Sequence, residues 1–116
     1  MPTTTMTAPP RAKQNAEIFG ARLDTAGWDV EIERADWSRN VPPRVRWSVR
    51  ARKGMDLITF SWSTVTGEGS PRTTKYLGGS LRRPLAAAKR EQVVSLRTIG
   101  GLNRIIQELT AQDIAG

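Results

Sequence analysis

A chain of 116 residues, 38% hydrophobic and 25% charged, has the composition of a folded protein with room for one sheet and two helices around a modest core. Its net charge of +7, with arginine far outnumbering lysine, points towards a polyanionic or acidic partner. The absence of cysteine and histidine excludes disulfides, thiolate chemistry, Cys/His zinc sites and histidine-based nucleophile activation.

Residues 1–10, rich in proline and threonine, read as a disordered lead, and a single α+β domain is expected over 11–116. After Pro9-Pro10, the residues Ala16, Phe19 and Leu23 recur at helical spacing, with Ala26 completing the face. Gly27 is the expected stop. Gly20 within this stretch costs about 1 kcal/mol relative to alanine.

Strict alternation follows. Trp28, Val30 and Ile32 alternate with Asp29, Glu31 and Glu33, which predicts a first strand. Residues 36–43, with Asn40, Pro42 and Pro43, read as a loop. Val45, Trp47, Val49 and Ala51 then alternate with Arg44, Arg46, Ser48, Arg50 and Arg52. Lys53-Gly54 marks a tight turn. Ile58, Phe60 and Trp62 define a third strand, and residues 73–77 a short fourth one that Gly78-Gly79 ends. If the first two strands form a hairpin, the three carboxylates face the second strand's arginines. Such cross-strand pairs contribute roughly 0.2–1 kcal/mol each, so these arginines are expected to neutralise their neighbours.

From Pro84 onwards the periodicity predicts a long helix. Leu85, Ala88, Leu96, Ile99, Leu102, Ile106 and Leu109 fall on one broad side, and proline suits the first helical position. Gly100-Gly101 either splits this helix or leaves it whole. Arg83, Arg90, Arg97 and Arg104 stand seven residues apart, close to two helical turns, which on one helix gives a basic stripe roughly 30 Å long. The fold expected is a two-layer α+β domain: a three- to four-stranded antiparallel sheet covered by an N-terminal helix and a long C-terminal helix. The order helix, three strands, helix, with basic residues where the last helix starts, resembles the layout of double-stranded RNA-binding domains in element order alone.

No set of residues identifies a reaction. Asp29, Glu31 and Glu33 share a strand face, but the metal-dependent nucleases need a lysine two residues after a strand carboxylate, and here Glu33 follows Glu31 and Ile58 follows Asp56. Gly67-Glu68-Gly69-Ser70 lacks the Gly-Lys-Ser/Thr ending of a phosphate loop. Tyr76, the one tyrosine, is assigned to packing. No catalytic activity, metal or cofactor is expected.

The remaining feature is charge. Residues 72–97 carry a net +6 and residues 44–54 a net +5. The leading expectation is a small nucleic-acid-binding protein, DNA or RNA, that contacts the phosphate backbone through Arg72, Lys75, Arg82, Arg83, Lys89, Arg90, Arg97 and Arg104. Few side chains near the stripe suit base reading, so binding is expected to be non-specific. The alternative is a protein-interaction module, such as a phage or mobile-element accessory docking on an acidic host protein, with Trp37 and Arg39 in the interface. An uncovered apolar face on the last helix would allow a homodimer. With no bilayer-length apolar run and no secretory-signal pattern, the expected location is the cytoplasm, that of the host if a phage encodes the protein.

Overall fold

In a computed structural model, which describes residues 11–37, 44–65, 74–85 and 90–115, the first helix, α1, spans Arg11–Thr25. Ala12, Ala16, Gly20 and Leu23 form its buried side. The alanines and Gly20 let the helix axis lie close to the sheet, and Phe19 reaches down beside them to stack on Trp62, ring centroids 5.4 Å apart. Gly27 ends the helix with φ +91°. The Trp28 amide donates to the Leu23 carbonyl and the Gly27 amide to the Asp24 carbonyl, both at 3.0 Å. That is a Schellman closure, with Leu23 and Trp28 supplying the apolar contact that accompanies it. The Lys53 ammonium adds a 2.9 Å hydrogen bond to the Ala26 carbonyl, a cation at the negative end of the helix.

Five strands follow as an antiparallel meander in sequence order: β1 (Asp29–Trp37), β2 (Arg44–Lys53), β3 (Asp56–Val65), β4 (Lys75–Leu85) and β5 (Arg90–Ser95). A two-residue turn, Gly54-Met55, joins β2 to β3 and pairs Lys53 with Asp56. The second helix, α2, spans Ile99–Ala115. Thr98 caps it, its hydroxyl accepting from the Gly101 amide at 3.0 Å. Gly100-Gly101 therefore lies in the first turn of α2 and does not divide a longer helix.

The architecture is α+β as expected, with one antiparallel sheet and an N-terminal and a C-terminal helix, but the sheet has five strands. The period-2 pattern places β1, β2 and β3 correctly. The core lies between the sheet and the helices: Val49, Ala51, Ile58, Phe60, Trp62 and Leu81 from the strands meet Ala12, Ala16 and Leu23 of α1 and Leu102, Ile106 and Leu109 of α2. Of the aromatic residues expected inside, Trp28, Phe60 and Trp62 are buried, and Trp47 packs against the core at its margin.

Two expectations are corrected. Gly78-Gly79 does not end the fourth strand. Ser61 pairs with Gly78 but Trp62 with Tyr76, so Leu77 is an extra residue in a β-bulge and β4 continues to Leu85. Nor does a helix start at Pro84. Residues 80–85 pair with residues 90–95, and Pro84 stands opposite Glu91 beyond the stretch of β4 that pairs with β3. A proline is tolerated there because one side of the strand is a free edge. The five-stranded order also departs from the three-stranded layout of double-stranded RNA-binding domains.

Candidate nucleic-acid interface

The four arginines at seven-residue spacing do not share a helix. Arg83 belongs to β4, Arg90 opens β5, Arg97 lies between β5 and α2, and only Arg104 is helical. Arg83 shares the helix-facing side of β4 with Leu81, and its Nε lies 3.5 Å from an Asp56 carboxylate oxygen. Arg97 and Arg104 are exposed within the layer that contains α2. Arg72, Lys89 and Arg39 lie outside the described residues. Trp37 is the last residue of β1, opposite Arg44, and not a loop residue. The basic stripe expected on a C-terminal helix is therefore not formed.

The ladder registers build a different surface. With both helices on one side, the sheet turns its other face outwards. On β2 the outward residues are Arg44, Arg46, Ser48, Arg50 and Arg52, because Val45, Val49 and Ala51 point into the buried layer. Registration carries this parity across the sheet. Arg50 stands opposite Thr59, which stands opposite Ser80; Arg52 stands opposite Leu57, which stands opposite Arg82. Arg46 faces Ser63, which faces Lys75. Of the expected site residues, Lys75 and Arg82 thus join four arginines of β2 on one face. Among the described residues that strip from β2 to β4 holds no carboxylate.

The bulge shapes this face. Gly78 has φ +96°, and a Cβ on Gly79 would collide with the Thr59 carbonyl and lie 2.7 Å from the Phe60 Cα. Beside the bulge lies an open depression of about 320 Å³, lined by Gly78 and Gly79 and bordered by Ser48, Ser61, Thr59, Arg46, Arg50 and, from β1, Glu33. The Arg44 guanidinium is laid against the sheet by hydrogen bonds to the Ser63 hydroxyl at 3.0 and 3.3 Å. Arg50, Arg52, Lys75 and Arg82 are exposed.

On β1, the carboxylates Asp29, Glu31 and Glu33 run along the same outward face. Asp29 stands opposite Arg52 and Glu31 opposite Arg50, as the hairpin expectation required, while Glu33 stands opposite Ser48. Among the described residues, the ion pairs on β1 and its neighbours do not include these facing partners; Arg34 pairs instead with Asp36 at 3.2 Å. No three acidic side chains converge on a point where a cation would sit, again among the described residues.

The β2 arginines were visible in the sequence, as the +5 run over residues 44–54. In sequence alone they look like charge-pairing residues, because β1 supplies acids at matching positions. The hydroxyl rows of β3 and β4 give them their context, and only the five-strand register reveals those rows. Comparison with protein-family models, curated proteins and solved structures finds no match to this chain. No described helix is long and apolar enough to cross a membrane.

Proposed function

We propose that this protein binds the phosphate backbone of nucleic acid through the outward face of its sheet. The observation that carries this reading is the carboxylate-free strip across β2, β3 and β4, where Arg44, Arg46, Arg50, Arg52, Lys75 and Arg82 surround rows of serine and threonine. Long cationic side chains neutralise phosphates, and short hydroxyl side chains between them donate hydrogen bonds to phosphate and sugar oxygens. Among the described side chains of this strip none is aromatic, and none is an asparagine or glutamine. Base stacking and bidentate reading of adenine therefore lack their usual groups, and the binding is non-specific.

The test is a titration of fluorescently labelled DNA and RNA at several salt concentrations, read by anisotropy. Contact by the exposed cations Arg50, Arg52, Lys75 and Arg82 predicts a log–log salt slope of about −3 on a single strand, from roughly −0.7 for each phosphate neutralised. No binding at low salt sinks the reading and turns the search to acidic protein partners.

A further inference from the structure

The basic strip has a border. Asp29, Glu31 and Glu33 of β1 run beside the half of it that holds Ser48, Arg50 and Arg52, on the strand next to the β2 arginines, while Ala35 and Trp37 stand opposite Arg46 and Arg44. Two of these carboxylates face arginines, which is the arrangement expected of simple cross-strand neutralisation. Glu33 does not: its partner across the ladder is Ser48, and it stands at the rim of the depression over Gly78 and Gly79. No arginine stands directly opposite it on the ladder; Arg46 and Arg50 border the same depression from either side of Ser48. The effect of Glu33 on an approaching polyanion is repulsion.

Strands lie about 4.8 Å apart, so the strip from β2 to β4 is roughly 10 Å wide from centre to centre. That is narrower than the major groove of B-form DNA alone, at about 12 Å. A duplex lying along β2 overhangs the strip and carries phosphates over the acidic rail or past β4. A single strand fits within it. Alternate β2 residues are about 6.7 Å apart, so Arg50 and Arg52, like Arg44 and Arg46, form a ladder of cations on the scale of successive phosphates of one extended strand.

Resting on the function proposed above, we infer that the ligand is single-stranded nucleic acid, and that the β1 carboxylates exclude duplex. Selectivity comes from a repulsive border as well as from an attractive strip, since like charges brought together penalise the wrong partner.

The experiment compares one labelled oligonucleotide, alone and annealed to its complement, against the full chain and two variants. The variants are Glu33→Gln, which breaks no acid–arginine ion pair among the described residues, and D29N/E31Q/E33Q. The wild type is expected to bind the single strand at least tenfold more tightly than the duplex. Glu33→Gln should raise duplex affinity about threefold with little change for the single strand, and the triple variant about tenfold, through loss of like-charge repulsion. Equal affinity for the two forms, or tighter duplex binding, overturns the inference while leaving nucleic-acid binding standing. Glu33→Gln without effect on either form also overturns it, and returns the carboxylates to the role of neutralising arginines. Failure to bind either form removes the functional reading itself. Glu33 is exposed and glutamine has nearly its shape, so that variant separates these outcomes even if the triple variant does not fold.

Discussion

Tyr76 ties β4 to the segment that leaves β5. Its hydroxyl donates to the Leu96 carbonyl at 2.7 Å, and its ring lies 5.4 Å from that of Trp62. Burial pushes its phenol up from 10.0 to about 12, because the charged form loses water without gaining a cation. The fold therefore favours the neutral phenol. That contribution to stability is fully present below pH 10 and is lost as pH rises towards 12. As Tyr76 is the chain's only tyrosine, phenolate absorbance reports on it alone. The folded protein should titrate near pH 12 and the urea-unfolded chain near 10; a folded-state midpoint near 10 would contradict the burial. Neighbouring residue types separate by environment in the same way. Arg83 lies beside Asp56, Arg44 lies along Ser63, and Arg50 and Arg82 extend into solvent. Sequence spacing alone treated these as equivalent cations.

At the scale of elements, the first half of the fold was legible because its signals agree. In α1, helical spacing and the stop at Gly27 point to the same boundary, and in β1 to β3 one apolar face alternates with one polar face. The second half carries conflicting signals. Leu85, Ala88, Leu96 and Leu102 fit a helical period, and the alanines between them favour helix. Yet residues 90–95 complete an antiparallel ladder with β4. The pair Val93-Val94, β-branched and flanked by the polar Gln92 and Ser95, is the local hint of a strand. Gly78-Gly79 resembles a break, because a glycine pair looks the same in sequence whether it ends a strand or bulges it. The structure separates the two. Leu96 donates its amide to the Gly79 carbonyl at 2.9 Å, so this bulge is where β5 hands the chain on to α2. Gly79→Ala forces a methyl into the β3 main chain, where neither the Thr59 carbonyl nor the Phe60 Cα can yield. Overpacking of this kind costs about 3 kcal/mol, so chemical denaturation should show a lowered midpoint with an unchanged slope. A Gly79→Ala protein as stable as the wild type would mean that β4 does not approach β3 as described.

For the whole molecule, the decisive arrangement is one sheet with its helices gathered on one side. That leaves the other side free to collect charge from strands far apart in sequence. Residues 44–52 and residues 75–82 become one surface only through β3, which contributes almost no charge of its own. Neither basic segment by itself predicts this, whereas the seven-residue spacing of Arg83, Arg90, Arg97 and Arg104 points to a helix. The excess charge and the basic runs that hold Lys75 and Arg82 were accessible from composition and local sequence. The face that unites them was not, because it depends on the β3–β4 register and therefore on the bulge.

The proposed sheet-face interface is tested most directly by comparing two variants with equal loss of charge. R50A/R82A removes two exposed cations from the outward sheet face, and R97A/R104A removes two from the helical side. On one labelled single-stranded oligonucleotide at fixed low salt, with folding checked by thermal melting, R50A/R82A is predicted to weaken binding about tenfold or more and to reduce the salt slope by about 1.4. R97A/R104A should stay within about threefold of the wild type, the residue of a long-range charge effect. Equal losses would mean that net charge alone drives binding, and a larger loss from R97A/R104A would contradict the sheet-face interface outright.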